Sequence, residues 1–160
     1  MTASVPAKRL GKAFRAITGN GDPGQVISFA RQWGIDGRLG RRAAKDIEIN
    51  ASAYLRLCGA VGIDPATGRP APAEEFTDID WRLVSLTVCM TLIEKSLSIR
   101  AAAKRWKLSP AAVVRLREGE PVNVENFLAF CKATGAKPTK FRTRVPVFHG
   151  KQSVEQVEHV

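Results

Sequence analysis

SIRAAAKRWKLSPAAVVRLREGEPVN, residues 98–123, is the stretch on which the reading of the fold turns. Ser98 can accept from the free N–H groups that open a helix. Ser109 followed by Pro110 supplies a capping oxygen and a pre-set φ for a second helix after a short break. Ala102, Ala103 and Trp106 share the inward face of the first helix, and Val113 and Leu116, three apart, form the buried stripe of the second. Gly119 ends that helix, and Asn123 caps a further apolar one, VENFLAFCKATG.

The stretch has a copy earlier in the chain. A shift of 73 residues without gaps aligns 7–65 with 80–138. Ala30-Arg31-Gln32-Trp33 then meets Ala103-Lys104-Arg105-Trp106, Arg42 meets Arg115, and Asn50 meets Asn123. Leu55, Cys58, Ala60, Gly62 and Pro65 meet Leu128, Cys131, Ala133, Gly135 and Pro138. Two copies of about 60 residues suit two tandem small helical domains rather than a solenoid.

In the first copy the pattern predicts helices over 7–18, 25–33, 37–46 and 51–61. TGNGDPG at 18–24 is a loop, and Asp36 stands in the capping place of Ser109. Tyr54, Leu57, Cys58 and Val61 make the core stripe of the fourth helix. Residues 64–78, DPATGRPAPAEEFTD, read as a Pro-rich linker of partly restricted reach. The second copy opens with an unusually apolar helix at 79–95, part of whose surface is expected to meet another domain or subunit. The expected organisation is a first domain at 1–63, a linker at 64–78, a second domain at 79–138 and a basic tail at 139–160. The tail alternates Lys140, Arg142 and Arg144 with Phe141 and Val145. It reads either as an edge strand pairing in a dimer or as a frayed basic arm.

The caps, the apolar spacing and the Gly119 stop resemble the Cro-like or XRE-type repressor helix-turn-helix family, whose usual pattern is A-x-x-L-G-V-S-x-x-x-V-x-x-I-E-x-G. Trp106-Lys107 stands where that family has Leu-Gly, and apolar Ala111, Ala112 and Val114 stand where polar side chains are common. The resemblance implies an all-α fold of two tandem four-helix helix-turn-helix domains. It also implies sequence-specific binding of double-stranded DNA in a transcriptional regulator. Homodimers of that family commonly present two recognition helices about one DNA turn apart, roughly 34 Å, and one chain here could supply both.

Charge agrees with such a partner. The 25 Lys and Arg against 15 Asp and Glu give +10 and a pI near 10.1, a balance suited to phosphate polyanions. In the first copy Arg38, Arg41, Arg42 and Lys45 crowd one side of a short helix and are expected to enter the major groove, where Arg can pair with guanine O6 and N7. Gly37 and Gly40 weaken that helix by roughly 1 kcal/mol each. In the second copy Ser109, Ala111, Ala112, Arg115 and Arg117 are expected to face the DNA, and Lys104, Arg105 and Lys107 to hold phosphates. The competing reading is a protein-interaction adaptor, antitoxin-like or RNA-polymerase-interacting, that uses the same fold to dock proteins. RNA binding ranks last, because no stacking platform is visible.

The remaining residues point away from catalysis. Cys58, Cys89 and Cys131 form no C-x-x-C pair, and His149 and His159 come late in the chain, so neither disulfide nor zinc is indicated. Cys58 and Cys131 lie on apolar stripes as buried small residues, and Trp33 and Trp106 read as core plugs. Glu74-Glu75 falls in the linker. No enzyme activity and no cofactor are expected. No apolar run approaches the ~20 residues of a membrane span, and MTASVPAKRLGKAF lacks a signal stretch. A cytoplasmic, nucleoid-associated protein is therefore expected, with transcription machinery and a second copy, joined through the C-terminal domain or the tail, as further partners.

Overall fold

The computed structural model describes residues 3–143. They form eight α-helices: α1 Val5–Ile17, α2 Pro23–Gln32, α3 Gly37–Ala44, α4 Ala51–Val61, α5 Trp81–Glu94, α6 Ile99–Trp106, α7 Pro110–Arg117 and α8 Val124–Thr134. A single 3-10 turn, Pro138–Phe141, follows. Among the described residues there is no strand, only two isolated antiparallel bridges, Ile63 with Pro70 and Ile79 with Arg142. The described residues are all-α, as their periodicity predicts.

Each helix starts where a side-chain oxygen can satisfy its free N–H groups. Asp36 accepts from the Arg38 N–H at 2.8 Å and Ser109 from the Ala112 N–H at 3.1 Å. Asn50 and Asn123 accept from the N–H groups of Ala53 and Asn126, both at 2.8 Å. Gly62 and Gly135 close α4 and α8 in the left-handed conformation. These caps occupy aligned positions of the two copies.

The copies differ in the loop after their first helix. Asp22 caps α2 with Pro23 at its first position, so α2 starts ahead of the expected 25. Ile17 ends α1 at the position aligned with Met90, whereas α5 continues to Glu94 and α6 begins only at Ile99. The loop has slid by about one helical turn between copies without changing the residue count.

In the first copy Leu10 and Phe14 of α1, Val26 and Ala30 of α2, Ala43 of α3, and Tyr54, Leu57 and Cys58 of α4 are buried together. Gly40 of α3 lies so close to α2 that an added Cβ would sit 3.3 Å from Ala30 Cβ and Val26 Cγ1. The glycine that weakens α3 as an isolated helix is thus what lets it pack. In the second copy Val84, Val88, Trp106, Val113, Leu116, Phe127 and Phe130 form the corresponding core. Trp106 meets Phe130 edge-on at 5.7 Å and is buried as expected, while Trp33 is only half-buried against its core.

The segment 64–78 does not run free as a spacer. The Asp64 side chain accepts from the N–H of Ala66, and Ala71 and Glu74 donate their N–H groups to the Gly62 and Gly59 carbonyls at 2.8 and 2.9 Å. Phe76 is buried, and the buried side chains of both halves join in one cluster, with α4 and α8 in contact. Proline removes donors, but Ala71 and Glu74 still find carbonyls at the C-terminal end of α4.

The boundary expected at 139 also moves. Phe141 is fully buried, its ring 5.9 Å from Phe127 and 5.7 Å from Phe130. Asp80 donates its N–H to the Phe141 carbonyl at 2.6 Å, and Thr143 donates its own to Asp78. An aromatic ring with a cavity to fill outweighs the basic residues beside it. Residues 144–160, which include Arg144, His149, His159 and most of the expected edge strand or basic arm, lie outside the described residues.

Candidate nucleic-acid interface

The turn between α2 and α3 fixes how α3 is presented. Gly34 adopts φ +65°, and Ile35 donates its N–H back to the Ala30 carbonyl at 2.8 Å. Arg56 of α4 donates to the Gly34 carbonyl at 2.8 Å and ties the turn to the core. On the other side Arg15 of α1 donates to the Ala44 carbonyl and to Asp46, both at 2.8 Å, so the far end of α3 is also held.

Between these anchors Arg38, Arg41, Arg42 and Lys45 are all exposed. At 3.6 residues per turn they fall within about 100° of arc, opposite buried Ala43 and Gly40. Arg38 approaches Asp36 at 3.4 Å, a long, exposed pair. Hydrogen bonds from the Arg38 backbone N–H and from its guanidinium hold the Asp36 carboxyl below the usual carboxylate range. Arg42 donates to the Glu48 carbonyl at 2.8 Å, so part of its guanidinium is committed to the loop after α3. Arg41 and Lys45 have no ion-pair partner among the described residues.

The aligned face of the second copy is chemically different. Lys104, Arg105 and Lys107 are exposed, as are Ser109 and Ala111. Ala112 is 4% exposed, which corrects its expected place facing the DNA. It takes the inward place of Leu39 in the repeat and packs beneath α7 instead. Arg115 donates to the Pro121 carbonyl and pairs with Glu120 at 3.0 Å, and Arg117 lies 4.0 Å from Glu118. Where α3 offers open cations, α7 offers cations already matched by carboxylates.

Arg31, exposed on α2, is a cation that the motif alone passes over. It aligns with Lys104, so the repeat itself carried the signal. Burial pushes the Cys58 and Cys131 thiols up to about 12 and raises Tyr54 further still. Among the described residues no cluster of three or more His, Cys, Asp or Glu side chains could hold a metal, and no helix is long and apolar enough to cross a membrane. Compared with family models, with curated proteins and with solved structures, the chain matches none.

Proposed function

We propose that this chain binds double-stranded DNA through two tandem helix-turn-helix units, α1–α4 and α5–α8, fused along α4, α8 and the segment between them, and that it acts as a transcriptional regulator. The observation that carries the reading is α3: four exposed cations on one arc of a helix braced at both ends, of which only Arg38 has a carboxylate partner, Asp36, among the described residues. A helix of this kind fits the major groove, where Arg41 and Arg38 are placed to read guanine and Lys45 to hold a phosphate. Arg31 and Arg42 flank it as backbone contacts. In the second unit Lys104, Arg105 and Lys107 hold phosphates, while the carboxylates beside Arg115 and Arg117 keep α7 a weak reader.

Fluorescence anisotropy titrations against duplex DNA at several salt concentrations test this. About five neutralised phosphates give a log-log slope near −4.5. Arg41→Ala should lose affinity on the preferred duplex and little on a scrambled one, by about 1–3 kcal/mol for a bidentate base contact. A flat salt response would remove the DNA reading and favour the adaptor role.

A further inference from the structure

The first helix of the second copy carries an apolar face that no element among the described residues covers. Leu86, Met90 and Ile93 of α5 are 54%, 52% and 78% exposed and recur at i, i+4 and i+7. Single exposed apolar residues need no explanation, but three in register on one helix form a continuous stripe. The first copy provides an internal comparison. Its aligned residues are Ala13, Ile17 and Asn20, and α1 ends at Ile17. The fold therefore does not need the stripe.

We propose that α5 pairs antiparallel with α5 of a second copy of this chain. The flanking charges select this occupant. Arg82 lies at the start of the stripe and Glu94 at its end, both exposed and neither with an ion-pair partner among the described residues. A two-fold axis at the level of residue 88 pairs any two positions that sum to 176. It sets Leu86 on Met90 of the other copy, Leu83 on Ile93 and Arg82 on Glu94. One axis thus brings both the apolar and the charged pairs to the same level, with Arg82 and Glu94 reaching across the end of the stripe. In the first copy Gly21 replaces Glu94 and Arg9 is bound to the Ala66 carbonyl, so the complementarity is specific to α5. The contact extends over about 18 Å of helix, less than a standard interface of about 800 Å² per partner, so association belongs in the micromolar range. This pairing does not depend on the DNA reading.

Sedimentation equilibrium of the full chain, freed of nucleic acid, tests it over about a hundredfold range of concentration around micromolar. The mass should rise from 17.4 kDa toward twice that value. Leu86→Lys should leave a monomer with an unchanged helical spectrum. Arg82→Glu and Glu94→Arg should each weaken association about tenfold by placing like charges together at both ends, and the double variant should recover it. Residues 82 and 94 are about 18 Å apart on one helix, so such recovery requires a contact between copies. A monomer at every concentration, as a stripe meant for a different protein would give, overturns the proposal. So does a dimer indifferent to Leu86→Lys, or a double variant that fails to recover.

Discussion

Arg42 and Arg115 stand 73 residues apart and make the same bond: Arg42 donates to the Glu48 carbonyl at 2.8 Å, and Arg115 to the Pro121 carbonyl at 2.9 and 3.2 Å. Those carbonyls are themselves aligned, each two residues before the asparagine that caps the next helix. Both arginines reach from the last helical turn across the following loop and set the chain's entry into α4 or α8. Their identity in the two copies thus has a structural cause that a DNA contact does not require.

Replacing either one should therefore cost stability as well as affinity. Arg42→Ala and Arg115→Ala should each lose about 0.5–1.5 kcal/mol in urea unfolding, the net worth of a hydrogen bond in a solvated loop. For DNA, Arg42→Ala should weaken specific and scrambled duplexes alike, in contrast to Arg41→Ala. A loss confined to the specific duplex would return Arg42 to the groove floor.

Gly59 is the point where the segment between the copies touches α4. A Cβ there would lie 2.1 Å from the Glu74 carbonyl oxygen, closer than any side chain tolerates. Gly59→Ala must displace backbone, at a cost of about 1–3 kcal/mol. It should also free the segment, which in the native protein is held by its hydrogen bonds and by buried Phe76. Cleavage after Glu74 or Glu75 by a glutamate-specific protease should be slow in the native chain and fast in the variant. Equal rates would mean that the segment is already loose.

Helix positions and caps were legible because their causes are local: a serine, aspartate or asparagine, then apolar residues at helical spacing. The repeat made them more so, since each cap could be checked against its partner. The fusion of the copies was not legible, because Phe76 and Phe141 are isolated aromatics in Pro-rich or basic stretches and their partners lie on α4 and α8. Exposure was likewise only partly legible. Ala111 and Ala112 look alike in sequence, and a rotation of 100° along the helix makes one exposed and the other buried. The slid loop is not legible either, because an ungapped alignment preserves the count of residues while the helix ends move.

Thiol chemistry offers a test of core burial in both copies. Burial raises the Cys58 and Cys131 thiols to about 12, so almost no thiolate is present near neutral pH. Cys89, half-buried on α5, should react first with a thiol reagent, and the other two only at the rate of unfolding. Native mass spectrometry after brief alkylation should show one adduct. Three adducts at once would place the buried cysteines in contact with solvent.

Phe141 should be among the costliest side chains to truncate. Its ring fills the space between Phe127 and Phe130, and the adjoining backbone pairs with Asp78 and Asp80. Phe141→Ala should cost about 3–5 kcal/mol, the usual range for removing a fully buried aromatic. Truncating the exposed neighbour Lys140 should cost almost nothing in the same urea series. A small loss for Phe141→Ala would mean that the chain beyond Pro138 is not part of the core.

Lys107 tests whether strain and binding are traded at the turn between α6 and α7. It adopts φ +59°, and Leu108 beside it donates to the Ala103 carbonyl at 2.9 Å. Gly34 at the aligned position has φ +65°, and Ile35 makes the matching bond. The two turns are therefore the same, but one carries a side chain that costs about 1–2 kcal/mol in that conformation. Lys107→Gly relieves the strain and adds freedom to the unfolded chain, for a net gain of about 0.5–1 kcal/mol. The same change removes an exposed cation at the head of α7 and should lower the salt slope of DNA binding by about 1. Gly34→Lys should do the reverse to stability, since it imposes the strain and sets a second cation near the Arg56 guanidinium, which lies 3.8 Å from the added Cβ. Urea unfolding of both variants, read beside the salt titrations, separates the two effects. Lower stability for Lys107→Gly would show that the lysine stem supports the turn, and an unchanged salt slope would take Lys107 out of the interface.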